Sequence, residues 1–371
     1  MTVEISGVGL HPFGRFDDRT VTDMGVAAVR AALADADNPR IDAAFCGTAY
    51  SGVAAGHRVL GQLARTGIPI VDVEAGCASG AAALALGASA IRAGERDCVL
   101  VFGMEKMPKG MIRSSFFEPW QEQAGLTPAP AYFALRAQRL MGEAGLTKND
   151  LAAVVVKNRR NGEHNPHAMF RKPVTADEVL ASRVVCEPLH LWMLCSPNEG
   201  AAAVVLRRST DGVQVRAACL RSHLPGSVLA ESTPMAGIDD ADITPPTMLA
   251  ADDAYMAAAI GPSDIDVVEC QDTDAARELL TYQELRLCAL GEQTKLLRSG
   301  EVELGGRRPV NPSGGLLSKG EPLGASAIGQ VVELVQQLRG QAGPRQVAGA
   351  RTALAHTVGR GANASVVILA R

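Results

Sequence analysis

Val73-Glu-Ala-Gly-Cys77-Ala-Ser-Gly80 is the stretch that decides the fold. Ahead of it, residues 68–73 form a short β-branched run; behind it, residues 77–92 are Ala-rich and close at Gly94. A strand that stops in a glycine turn and restarts as a helix is half of a βαβ unit, and the apolar run at 97–102 supplies the returning strand.

Working outward, residues 3–9 and 41–47 read as strands around a helix over 23–34, with Thr22 or Asp23 as its N-cap. The second half repeats this order: strand 213–220, helix 248–260, strand 265–270, helix 320–338, and strands 352–355 and 365–369. Gly320-Glu321-Pro-Leu-Gly-Ala-Ser heads its helix as Gly76-Cys77-Ala-Ser-Gly heads the earlier one. Ile265-Asp-Val-Val-Glu-Cys270 echoes Ile41-Asp-Ala-Ala-Phe-Cys46 at an offset of 224 (265 less 41). That match is short; the shared order of elements carries the reading of two copies of one α/β unit, packed face to face. The halves span 1–210 and 211–371. Residues 104–182 have no counterpart and hold Pro108, Pro119, Pro128, Pro130, Pro166 and Pro173, which predicts a loop-rich insertion of functional weight.

With 371 residues, 36 Lys+Arg against 40 Asp+Glu and 47% hydrophobic residues, the chain is globular and excludes disorder. Its net charge of −4 gives no reason to expect nucleic acid. The N-terminus carries no secretory pattern, no apolar run reaches the roughly 18–20 residues of a membrane span, and Leu369-Ala-Arg371 is not a peroxisomal address. A cytoplasmic location without membrane partners is the expectation. Eight cysteines without a C-x-x-C pair argue against a zinc ribbon or a disulfide scaffold, and the histidines show no metal-like spacing. No metal is expected. Seven of the cysteines read as small buried hydrophobes.

Cys77 is the exception. At a helix head, unpaired N–H groups and the macrodipole favour a thiolate, and Gly76, Ala78 and Gly80 leave room for a carbonyl. It is either a nucleophile or an inert residue of a helix cap. Glu321 holds the matching place in the second half, either as an acid/base group sharing a cleft with Cys77 or as an ordinary first-turn carboxylate. His356 follows the strand predicted at 352–355 and precedes glycines, a position open to proton transfer or to a structural role. The basic residues Arg159, Arg160, Arg171 and Lys172 form either a solvated face or a clamp for phosphate groups such as those of coenzyme A.

Together these residues resemble the thiolase superfamily, in particular its sterol-carrier-protein-type (lipid-transfer) branch. The matching segments are Gly7-Val-Gly-Leu-His-Pro-Phe-Gly-Arg-Phe16, Val73 to Gly80, Cys195-Ser-Pro-Asn-Glu-Gly-Ala-Ala-Ala-Val-Val-Leu206 and residues 311–326. The resemblance implies an α/β fold of two similar βαβαβαββ halves in a five-layered αβαβα core with an inserted loop domain. It also implies a homodimer, coenzyme A thioester substrates without a tightly bound cofactor, and Cys77 as the acyl-accepting residue. A small OB-fold/zinc-ribbon protein is a possible partner on the same ground.

The family pattern is altered in the second half. Glu321 stands where the family's glycine-histidine-proline motif has histidine. The branch's histidine-aspartate-cysteine motif reads Gln271-Asp272-Thr273, and His356 replaces the cysteine of the C-terminal cysteine-x-glycine motif. On this basis His356 is the expected proton carrier, Asn311 and Gln271 the expected oxyanion donors with Asp272 beside them, and Ser313-Gly314 join the basic residues as coenzyme A contacts. Three activities fit. One is a C-acyltransferase making or cleaving a 3-oxoacyl-CoA through acyl-Cys77. The others are a retro-aldolase on a 3-hydroxyacyl-CoA with no covalent cysteine, and a non-catalytic acyl-CoA-binding subunit.

Overall fold

A computed structural model describes residues 1–110, 117–226, 237–238, 242–359 and 363–371. The first half runs β1 (Glu4–Gly14), α1 (Val21–Asp35), β2 (Ala43–Gly47), α2 (Ala55–Gln62), β3 (Ile70–Val73), α3 (Ser79–Arg92) and β4 (Cys98–Lys106). Next come α4 (Pro119–Gln123), α5 (Ala129–Ala144), α6 (Lys148–Glu163), α7 (Ala176–Ala181) and the hairpin β5 (Val184–Cys186) and β6 (Leu189–His190), before β7 (Glu199–Arg207). The second half runs β8 (Val213–Ser222), α8 (Pro246–Ala258), β9 (Val267–Cys270), α9 (Ala275–Glu284), α10 (Gln293–Arg298), α11 (Gly315–Lys319), α12 (Leu323–Arg339), β10 (Thr352–Gly359) and β11 (Asn363–Ala370).

Nine strands hydrogen-bond in the order β3-β2-β4-β7-β1-β8-β11-β10-β9. The first five belong to one half and the last four to the other. Their junction is slight, because β1 meets β8 only where Glu4 and Ile5 pair with Gln214 and Val213. The elements β8, β9, β10 and β11 repeat β1, β2, β4 and β7, while the counterpart of β3 is reduced to one parallel bridge between Val268 and Val310. The 224-residue echo marks real equivalence, since β2 starts at Ala43 and β9 at Val267. Its aspartates do the same job. Asp42 accepts from the N–H of Cys98 at 3.0 Å and Asp266 from that of Thr352 at 2.9 Å, each pinning the start of the neighbouring parallel strand.

Period-two alternation then sorts the side chains into layers. In β4, Leu100 and Phe102 pack outward with α1 and α2, whereas Val99 and Val101 face α3 and α12. In β10, Ala353 and Ala355 face those same two helices from the other side, and Leu354 points to α8 and α9. The result is the five-layered αβαβα order, with α3 and α12 in the middle. The head of α12 meets both α3 and the end of β2 backbone against backbone. A Cβ on Gly324 would sit 2.5 Å from the Gly47 carbonyl oxygen, and one on Gly80 would sit 2.9 Å from that of Gly324. Glycine is the residue that such an approach requires.

Local readings shift where caps and prolines decide. The N-cap of α1 is Thr20 rather than Thr22 or Asp23: its Oγ1 accepts from the Asp23 N–H, and the Asp23 carboxylate accepts from the Thr20 N–H. The stretch 104–182 is far more helical than its prolines suggest, because Pro119 and Pro130 occupy first-turn helix positions, where a missing N–H costs nothing. Strand β10 runs on to Gly359 instead of stopping at 355.

Candidate active site

Cys77 and Glu321 each stand two residues before their helix, α3 starting at Ser79 and α12 at Leu323. The turn ahead of α3 is tied by its own neighbours. Gly76 takes φ +60°, and Ser79 Oγ donates to the Gly76 carbonyl at 2.5 Å while accepting from the Ala75 N–H at 2.8 Å. The N-terminus of α3 thus opens beside the sulfur, where its unpaired N–H groups favour negative charge.

Glu321 is held from a distance. Its backbone N–H donates to the Ser196 carbonyl at 2.9 Å. Gln271 Nε2 donates to Oε1 at 2.7 Å, and Cys195 Sγ donates to Oε2 at 3.3 Å. Gln271 is itself fixed, its Oε1 accepting from the Val358 N–H at 2.5 Å. Burial, and then the Glu321 carboxylate, push the Cys195 thiol well above its ordinary range, so it stays an S–H donor at neutral pH. Cys77, Cys195, Gln271 and Glu321 all line one cavity of about 600 Å³, whose walls are otherwise largely apolar, Phe133, Trp192 and Leu323 among them.

Several expected site residues stand elsewhere. His356 lies mid-strand and fully buried, outside the cavity lining; its Nε2 is 3.1 Å from Thr247 Oγ1, which in turn accepts from Arg277. Burial, reinforced by Arg277, holds its imidazole well below the ordinary histidine range, hence neutral. Asn311 is a brace: Oδ1 accepts from the Cys270 N–H at 2.9 Å and Nδ2 donates to Glu278 at 2.7 Å. Asp272 caps α11, accepting from the N–H groups of Leu316 and Leu317, and burial raises its carboxyl pKa well above the usual range. Ser313 donates from its backbone N–H and from Oγ to the buried Glu269, and Gly314 packs on Gly162 of α6. These four build the loop that carries Glu321 rather than face a ligand. Of the basic residues, Arg159 alone lines the cavity; Arg160 pairs with Glu303 at the surface, and Arg171 and Lys172 are exposed.

Cys195 is the cavity residue beside Glu321 that the sequence reading leaves among the inert cysteines. The pointer to it is its place in the segment Cys195-Ser-Pro-Asn-Glu, one of the four that carry the family resemblance.

The family model "Thiolase, N-terminal domain" matches residues 5–210, more than half of the chain, and "Thiolase C-terminal domain-like" matches residues 231–371. The chain belongs to the thiolase family. Among relatives, this thiolase is 35% identical to bovine sterol carrier protein 2 over 97% of its own length and 70% of the other's. It is 37% identical to the acetyl-CoA acetyltransferase of Methanothermobacter thermautotrophicus, over 100% and 99% of the two chains. The Ltp2-ChsH2(DUF35) aldolase shares its fold, with a TM-score of 0.87 at 23% identity over 100% and 98% of the chains. Among the described residues, no group of three or more His, Cys, Asp or Glu is arranged to hold a metal ion, and no helix is long and apolar enough to cross a membrane.

Proposed function

We propose that this thiolase makes or cleaves the carbon–carbon bond of a 3-oxoacyl-CoA through an acyl thioester on Cys77. The observation that carries the reading is that Cys77 and Glu321 line one cavity from equivalent helix heads. In the cleaving direction the Cys77 thiolate attacks the 3-oxo carbon, and the C2–C3 electron pair leaves as the enolate of the shortened acyl-CoA. That carbanion takes its proton from the Glu321–Cys195 pair, whose S–H faces the carboxylate. Coenzyme A thiol then returns a proton to the Glu321–Cys195 pair and attacks acyl-Cys77, whose sulfur leaves as the thiolate. In the synthetic direction Glu321 removes the α-proton. The developing oxyanions fall to the Gln271 amide and to the backbone N–H groups at the head of α3. His356 takes no part. Arg171 and Lys172, exposed just beyond the cavity residue Phe170, are assigned to the coenzyme A phosphates. The reading includes a cytoplasmic homodimer. The two-component name of the Ltp2-ChsH2(DUF35) aldolase supports adding a small OB-fold/zinc-ribbon partner.

A carboxylate in the place of the family histidine favours a second reading, retro-aldol cleavage of a 3-hydroxyacyl-CoA. There Glu321 takes the hydroxyl proton and no covalent cysteine is needed. The test is Cys77→Ala beside the wild type. Acyl transfer requires an acyl adduct on Cys77 by mass spectrometry and a loss of turnover of at least about 10³-fold in the variant. Undiminished turnover in the variant transfers the assignment to the aldolase. Thioester binding without turnover of either class leaves a binding subunit.

A further inference from the structure

Four guanidinium groups line the cavity, those of Arg136, Arg159, Arg183 and Arg277, against Glu321 as the one lining carboxylate among the described residues. Two of the four are neutralised from behind, Arg136 by Asp274 and Arg277 by Glu284. Arg159 is different. It is 8% exposed, and among the described residues it has neither a hydrogen bond nor an ion pair; its guanidinium stacks on the Phe170 ring at 4.1 Å. Burial draws its pKa down only to about 10, so it stays charged at neutral pH. A buried charge left without a counter-ion costs several kcal/mol. Nε and Nη1 of Arg277, another residue of the lining, are buried and without an acceptor among the described residues. An arginine kept for packing would be matched as Arg136 is.

We propose that the acyl group handled here ends in a second carboxylate, and that Arg159 receives it. The Phe170 ring under the guanidinium holds it in place, and a bidentate carboxylate on its two terminal nitrogens is the pairing this group serves best. A phosphate of coenzyme A is the competing anion. Phosphates are strongly hydrated, and the exposed Arg171 and Lys172 meet them at the surface, whereas Arg159 is buried in the wall of the cavity that Cys77 lines. The inference rests on the coenzyme A thioester reading.

Calorimetric titration of the full-length Cys77→Ala protein tests it, with glutaryl-CoA against pentanoyl-CoA as probes. The same two acyl groups carried on N-acetylcysteamine, which has no phosphate, form the second arm. The carboxylated ester is expected to bind about 10- to 100-fold more tightly, the range for a charge-assisted hydrogen bond, on both carriers. Arg159→Gln removes most of that preference, and Arg159→Lys restores part of it. Equal binding of the two coenzyme A esters overturns the inference alone. So does a loss in Arg159→Gln that is the same for both coenzyme A esters and absent for both N-acetylcysteamine esters, which marks a phosphate site. No binding of either coenzyme A ester sinks the thioester reading and the inference with it. The comparison within the unsubstituted Arg159 background holds even where an Arg159 variant fails to fold.

Discussion

The turn that carries Cys77 and the loop that carries Glu321 occupy equivalent places in the two halves, yet they are built by opposite means. The Cys77 turn closes on itself through Ala75, Gly76 and Ser79, all within five residues. The Glu321 loop is secured by groups distant in sequence, from Gln271 and Asp272 to others more than a hundred residues away. Asn198 Nδ2 donates to the Lys319 carbonyl at 2.8 Å, and Ser318 Oγ donates to that of Asn158 at 2.9 Å. Behind it Glu278 gathers Lys157 at 2.9 Å together with Asn158, Asn311 and Tyr282. The placement of Cys77 is therefore a property of local sequence, and that of the Glu321 carboxylate a property of the whole tertiary structure.

Three substitutions break or sharpen this contrast. Glu321→Gln should separate the two roles most strongly: kcat falls about 10³-fold for want of the base, while Cys77 still accumulates an acyl adduct in mass spectrometry. An unchanged kcat would remove Glu321 from the chemistry. Glu278→Gln attacks the distant support. Leaving Lys157 buried without its counter-charge should cost about 3 kcal/mol in urea unfolding. Alkylation of Cys77 by iodoacetamide should stay within about twofold of wild type, as Glu278 stands outside the cavity that Cys77 lines. A parallel collapse of Cys77 reactivity would show that the two supports are one.

The smallest effect belongs to His356. Its folded-state pKa lies below the ordinary 6.5, so the unfolded chain takes up the proton first and stability falls as pH drops below that value. The slope is about 1.4 kcal/mol per pH unit for one such group. His356→Asn should flatten the urea-unfolding profile between pH 7 and 5 by that amount while activity persists. A strong loss of activity at pH 7.5 would return His356 to the mechanism.

The same contrast explains what the sequence discloses. The repeat is legible because Asp42 and Asp266 do one job in two places, and because helix heads carry their own glycine signals. The place of Cys77 ahead of a helix is legible for the same local reason. Cys195 is not, since its meeting with Glu321 depends on the isolated parallel bridge between Pro197 and Glu321, a pairing across 124 positions (321 less 197) that no periodicity announces. Asn311 and Ser313 sit in the right loop but point into its scaffold, a direction that only the buried carboxylates Glu278 and Glu269 reveal, and Asp272 reaches that scaffold from the end of β9. His356 looks terminal because glycines follow it, although its carbonyl accepts from the Gln271 N–H and the strand continues.

The bare contact between the heads of α3 and α12 has one more consequence. Where main chains touch without intervening side chains, no rotamer can yield, and the spacing is set by atomic radii. The joint therefore works as a fixed gauge. The interval between sulfur and carboxylate is inherited from the steric size of peptide groups, so adaptation to new substrates has to be written into the surrounding walls.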